Sequence, residues 1–276
     1  WDSWQVDALS LDRAGHYAHP DKVQPIHHKG EFFSVHGPLN VPRPRQGHPV
    51  LFQAGSSEQG RTLAANRAEA IYAVAYDLPA AQAYYRDIKQ RVMANVRDAD
   101  VPIMPGLVTY VAATEQEAEA KQRELDELLP AEASLRQLGL FIEQDCMHWD
   151  LDAAVPTLPS LDTFTGPKGR YGTILRIIET EQPTVRQLLG RLAAGGGHCT
   201  MVGTPEQIAD KMELWFQNDG ADGFNLMPPS QPDSINDFVV INAVRLRWWH
   251  EIKTICAIIL KPKLHFVSYL FWCTHH

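Results

Sequence analysis

Several features are scarce or missing in this chain of 276 residues. Its four cysteines, Cys146, Cys199, Cys256 and Cys273, lie far apart and form no C-x-x-C pair. That favours reduced thiols in a cytoplasmic protein over a disulfide framework or a thiolate zinc site. His16/His19 and His27/His28 have no acidic or cysteine residues at ligand spacing, so no metal site is expected. No uninterrupted apolar run is long enough to span a bilayer, and Lys261-Pro262-Lys263 interrupts the apolar-rich stretch from Ile255 to Trp272. Positive charge is in deficit, with 25 Lys and Arg against 33 Asp and Glu and a net charge of −8. A surface of that sign repels nucleic acid and anionic membrane, and neither is expected as a partner. The Gly-Lys-Ser/Thr of a Walker loop is absent. Gln59 stands where the second glycine of a G-x-S-x-G nucleophile elbow belongs, after Gly55-Ser56-Ser57-Glu58.

What is present describes a globular protein, 45% hydrophobic and 21% charged, with room for one large α/β domain or two small ones. The most informative stretch runs from Pro49 to Arg61. A short apolar run, Val50–Phe52, ends in Gly55-Ser56-Ser57, and a helical pattern follows through Arg61, Leu63, Ala64, Ala65 and Ala68. A strand, a small-residue turn and a helix N-terminus together offer backbone N–H groups, hydroxyls and about half a positive charge to a phosphate. Ser56 and Ser57 add side-chain donors, and Gly55 permits close approach. The same residues also suit an ordinary N-cap and turn that binds nothing.

Downstream, Ala70–Val74 reads as a short buried strand, Pro79–Val96 as a helix and Ile103–Val111 as a strand. Thr114 with Glu117 forms a capping box for an acidic helix through Leu129. This alternation with short loops predicts parallel strands covered by helices. The segment from about 135 to 197 breaks it and reads as an insertion, either a lid or substrate wall or a packing appendage. The alternation resumes at Val202, where Thr204, Pro205 and Gln207 mark a helix start, and closes with a strand in Gly223–Pro229. On that strand Asn225 and Met227 share a face, so either could face a ligand. Met227 also suits core packing. His198, after Gly195-Gly196-Gly197, reads as a loop histidine, either approaching a ligand or solvated.

The two ends stand apart. Trp1, Trp4, Val6 and Leu9 have the spacing of an amphipathic helix with no start signal, which predicts that upstream sequence is missing. Residues 10 to 48 are loop-rich, and Glu31–Val35 is their strand-like run. From Ile241 onward the chain turns basic, with Arg245, Arg247, Lys253, Lys261 and Lys263 against Glu251. Residues 1–240 are therefore read as the domain, and 241–276 as a tail outside it.

Three motifs then form a pattern: Gln53–Arg61, Gly203-Thr-Pro-Glu-Gln-Ile-Ala-Asp210 and Asp222-Gly-Phe-Asn-Leu-Met-Pro228. Together they resemble the bacterial-luciferase-type flavin monooxygenases. More narrowly, they resemble the branch of nitrilotriacetate monooxygenase component A and dibenzothiophene-sulfone monooxygenase. Trp1–Trp4, Asp21–Val23 and Gly30–Leu39 fit the same branch, and the resemblance extends to about Phe238.

The resemblance implies an α/β fold, the C-terminal portion of a (β/α)8 TIM barrel whose first strands are missing, with a flavin at the C-terminal ends of its strands. It implies that Gly55, Ser56 and Ser57 hold the phosphate of FMN, with Ser57 as the phosphate serine. It also implies a two-component monooxygenase: a separate flavin reductase supplies reduced FMN, and one oxygen of O2 passes to a small organic substrate. Asn225 is the candidate substrate contact. No catalytic acid–base pair is assigned, since the cofactor carries the chemistry. A homo-oligomer is compatible with the family. Two alternatives stand beside this reading, a deazaflavin-dependent oxidoreductase on the same barrel and a truncated, non-catalytic fragment.

Overall fold

The structure, a computed structural model, describes residues 1–239 except Val96, Asp98, Ala99 and Pro167. The tail expected at 241–276 lies outside the described residues. The described residues divide into two compact units, Trp1–Leu51 and a second that begins at Phe52.

The first unit consists largely of turns held by contacts distant in sequence. Trp4 bridges Val23 and Leu9 bridges Ala18. The Trp4 indole donates to the Leu39 carbonyl at 2.7 Å, and the Leu39 amide donates to the Ser3 hydroxyl at 3.3 Å. The helix predicted across Trp1–Leu9 does not form; turns and bridges occupy those residues. Val6, a member of the supposed apolar stripe, is 90% exposed. With no buried stripe to drive a helix, the backbone groups pair across the chain instead. The strand-like run at Glu31–Val35 contributes only its last two residues. These form β2 (Ser34–Val35), antiparallel to β1 (His28–Lys29).

The second unit shows the predicted alternation: β3 (Phe52–Ala54), α1 (Glu58–Arg67), β4 (Ala70–Ala73), α2 (Leu78–Ala94), β5 (Ile103–Val111) and α3 (Glu115–Glu127). Then come α4 (Ala131–Ile142), α5 (Lys168–Glu181), α6 (Val185–Gly195), β6 (Cys199–Gly203), α7 (Pro205–Gln217) and β7 (Asn225–Leu226). β3, β4, β5 and β6 lie side by side, all parallel, and β7 also pairs with β5 in parallel. β5 is the hub. It meets β4 along Ile103–Pro105, β7 at Gly106–Leu107 and β6 along Leu107–Val111. Eight of its nine residues are buried, as expected of a parallel strand covered on both faces.

Local signals explain where the helices start. In α3, the Thr114 hydroxyl accepts from the Glu117 amide at 3.2 Å, and the Glu117 carboxylate accepts from the Thr114 amide at 3.1 Å. In α7, Thr204 and Gln207 make the same exchange at 3.4 and 2.8 Å. A third capping box, Thr184 with Gln187, opens α6. Ile71 and Ile103 pack with Ala64, Ala65, Ile88 and Val92 to bury the helix side of β4 and β5. Helices α4, α5 and α6 share a core of their own, in which Leu138, Ile142, Tyr171, Ile174, Ile177 and Leu188 are almost wholly buried.

Asp222 fastens β7 to the rest of the sheet. One of its oxygens accepts from the Ile103 amide at 2.8 Å and lies 3.0 Å from the Lys89 ammonium. The other accepts from the Tyr85 hydroxyl at 2.8 Å. Burial, then the Asp222 carboxylate, pushes the Tyr85 phenol pKa up. Removing the carboxylate strands the Ile103 amide and the Tyr85 hydroxyl, while Lys89 keeps Asp100 and the Val101 carbonyl. Asp222→Ala is therefore expected to cost about 3–5 kcal/mol in denaturant unfolding, and Asp222→Asn clearly less. Equal and small losses in the two variants would contradict this role.

Asp126 in α3 is under a different stress. Burial pushes its carboxyl from 3.8 up to about 6, and the nearby Arg191 charge opposes the shift only in part. The folded chain therefore keeps a proton that the unfolded chain has lost, and this contribution to stability declines as pH rises from about 4 to 6. Asp126→Asn is expected to raise Tm at pH 7.5 and to flatten that part of the Tm–pH profile. An unchanged slope would show that the carboxyl titrates normally.

Candidate functional site at the carboxyl edge of the sheet

The Gly55–Ser57 turn joins the carboxyl end of β3 to the N-terminus of α1. Gly55 and Gly60 pack backbone against backbone: a Cβ placed on either would lie 3.4 or 3.3 Å from the other's Cα. Ser57 is the N-cap, and its hydroxyl accepts from the Gly60 amide at 3.1 Å. As an acceptor there, it keeps its own proton for another partner. Residues Gly55–Gln59 are all exposed. The carbonyl of Gly55 accepts from the Tyr84 hydroxyl at 3.1 Å, and that of Ser56 from Arg61 Nε at 2.9 Å. The amides of Ser56 and Ser57 donate to no acceptor among the described residues.

Beside this turn lies the sheet face opposite helices α1 and α2. Ile71 points into the helix-side core, so its neighbour Tyr72 points the other way. Ala54, Tyr72 and Met104 are register partners and share that face, as do Gly106 and Asn225. The Tyr72 hydroxyl lies 3.1 Å from His198 Nε2 and 3.1 Å from the Met227 sulfur. The Tyr72 and His198 rings are nearly parallel, 5.1 Å apart at 24°. Gly106 makes the arrangement possible, since a Cβ there would overlap His198 Nδ1 and lie 2.7 Å from the Met227 sulfur. The Asn225 side chain donates to the Met104 carbonyl at 2.9 Å, which fixes the amide and leaves its oxygen as the group on offer.

His198 is therefore not a solvated loop residue. It is only 8% exposed and immediately precedes β6. The preceding glycines do not make a flexible tether: Gly196 is the left-handed C-cap of α6, at φ +56°. Burial, and secondarily the Arg170 charge, holds the His198 pKa below 6.5, against an opposing influence of the Ala73 backbone. Its Nδ1 has no hydrogen-bond partner among the described residues. Burial also raises the Tyr72 pKa, so at neutral pH the pair presents an uncharged polar surface.

The first turn of α5, which carries Lys168 and Arg170, borders the same region. A Cβ on Gly169 would sit 3.4 Å from the Ser56 hydroxyl. The Arg170 guanidinium lies 4.5 Å from the Phe141 ring centroid, and no acidic side chain among the described residues forms an ion pair with it. Chemically, the edge combines an exposed helix N-terminus suited to an anion with a neutral face of Tyr72, His198, Met227 and Asn225. Of these, Tyr72 carries no local sequence signal, because its partners lie 126 and 155 residues away.

Comparison with known proteins identifies the family. The family model described as luciferase-like monooxygenase matches residues 16–223. The chain is 42% identical to nitrilotriacetate monooxygenase component A of Aminobacter aminovorans, over 87% of this chain and 53% of that protein. Among solved structures, DmoA of Hyphomicrobium sulfonivorans superposes with a TM-score of 0.70 at 30% identity, covering 90% of this chain and 52% of that one. A riboflavin lyase, RcaE, determined with modified FMN and riboflavin, gives 0.66 at 30% identity, covering 90% and 54%. The chain thus spans about half the length of the curated relatives it matches, and its parallel sheet with covering helices is a portion of their barrel. By the family-model match and the identity to these relatives, the chain belongs to the luciferase-like monooxygenases.

Proposed function

We propose that this chain forms the phosphate-holding part of a reduced-FMN-dependent monooxygenase component. A separate flavin reductase would be its functional partner, and a small organic molecule would receive one oxygen of O2. The observation that carries the reading is the exposed Gly55–Ser57 turn. It lies at the carboxyl edge of a parallel sheet, where barrels of this type place their ligands, with the Ser56 and Ser57 amides uncommitted. A phosphate fits such a turn: it is a compact dianion that accepts several hydrogen bonds at once and gains from the helix N-terminus. That RcaE was determined with modified FMN supports a flavin in this family.

Reduced FMN, when bound, supplies the electrons that activate dioxygen. The residues of this chain hold and orient it. The Ser56 and Ser57 amides and hydroxyls take the phosphate, and the Ser57 cap keeps the α1 amides in line. Tyr72, His198, Met227 and Asn225 supply the neutral surface beside it. With Tyr72 and His198 both uncharged at neutral pH, that surface imposes no strong charge on a bound ring or substrate. The Asn225 oxygen would contact the substrate, and the bond from its amide nitrogen to the Met104 carbonyl supports that reading by fixing the side chain.

Anaerobic titration with reduced FMN, read by protein fluorescence, tests the proposal. Saturable binding is expected, and Ser56→Ala should weaken it by roughly ten- to a hundredfold, the loss of one hydrogen bond to a charged group. Ser56 is the better site for substitution because Ser57 also caps α1, and losing a cap costs about 1 kcal/mol of stability on its own. Absence of saturable binding would reject the proposal.

A further inference from the structure

We propose that Tyr84 and Arg61 are positioning residues that aim the Gly55–Ser57 turn, so that its amides, not its carbonyls, face the bound phosphate. This rests on the proposed phosphate site and extends it to residues that touch no ligand. A trans peptide unit points its C=O and its N–H in opposite directions. The Gly55 carbonyl is held by the Tyr84 hydroxyl at 3.1 Å, so the Ser56 amide of the same peptide points away from α2. The Ser56 carbonyl is held by Arg61 Nε at 2.9 Å, so the Ser57 amide likewise points away from the Arg61 side chain. Two consecutive peptides are thereby locked with their donors outward and their acceptors inward.

The clamp is itself braced. Arg61 Nη1 pairs with Asp87 at 2.9 Å, and its guanidinium lies 5.0 Å from the Tyr84 ring centroid. The second Asp87 oxygen takes Arg91 Nε at 2.9 Å, and Arg91 grips both oxygens of Glu58, the first residue of α1, at 2.7 and 2.9 Å. Hydrogen bonds and opposing charge from Arg61 and Arg91 keep Asp87 ionised against its partial burial. One network thus ties α2 to the turn and to the helix that follows. Releasing a carbonyl lets its peptide rotate, placing a partial negative charge where the phosphate would lie. Arg61 also brings a positive charge behind the turn, and Lys could keep that charge without matching the planar fork.

The test compares FMN with riboflavin, which differ by the phosphate alone, in the whole chain and in Tyr84→Phe and Arg61→Lys. A structural defect weakens both ligands alike; loss of aim weakens FMN only. In the unsubstituted chain FMN should bind more tightly. In each variant the FMN-to-riboflavin affinity ratio should fall by about tenfold, as for loss of a charge-assisted contact, while riboflavin affinity stays constant. Tyr84→Phe keeps the ring and its packing, and Arg61→Lys keeps the charge, so the two variants report independently if one folds poorly. An unchanged ratio in the folded variants overturns the positioning role and leaves the phosphate site standing. No FMN preference in the unsubstituted chain overturns both.

Discussion

Parallel pairing along β5 is the constraint on which the site depends. This one strand takes β4, β7 and β6 as neighbours along successive parts of its length, so its register decides what gathers at the carboxyl edge. Strand side chains alternate with a period of two, and a slip of one residue would exchange Tyr72 with Ile71. The burial of Ile71 and Ile103 among Ala64 and Ala65 of α1 and Ile88 and Val92 of α2 forbids that exchange. Asp222 adds a polar lock by holding the Ile103 amide at the start of β5, just before the chain enters β7. The alignment of Tyr72 beside the Gly55–Ser57 turn, and of Asn225 beyond it, follows from core packing.

On the proposed function, the turn is where this acidic protein holds an anion. The net charge of −8 opposes a phosphate at long range, but the edge of the sheet has its own field. Contributors are the N-terminal end of α1, the outward amides, the Arg61 charge behind the turn and the α5 first turn beside Ser56. Such local terms act within hydrogen-bond reach, where the spread surface charge is screened over about 10 Å of salt solution. The neighbouring Tyr72–His198 pair is kept neutral by burial, which suits a surface meant for an organic ring more than for an ion.

Much of the second unit was legible in the sequence because its signals are local. The capping boxes at Thr114 and Thr204, the apolar runs of β4 and β5 and the glycine–serine turn each lie within a few residues of the feature they specify. The failures came where a distant partner decides. Trp1, Trp4, Val6 and Leu9 carry a helical spacing, yet bridges from Trp4 to Val23 and from Leu9 to Ala18 settle their conformation. His198 after Gly195–Gly197 reads as a loop histidine, but the glycine conformation ends α6 and delivers the imidazole to Tyr72. Tyr72 reads as one more residue of a short strand. The segment between α3 and β6 hid its order because α4 and α5 bury their faces against each other and α6, and not against the sheet pattern that guided the rest. The Thr184–Gln187 box and the helical pattern that ends at Gly195 are local traces of that order.

The account turns on whether the peptide groups of this turn, and not some other part of the chain, receive the phosphate. Backbone amide NMR during an FMN titration reads this directly. The Ser56 and Ser57 resonances should shift saturably with FMN and stay in place with riboflavin, while resonances near Tyr72 respond to both. Saturable FMN shifts that spare Ser56 and Ser57 would contradict it.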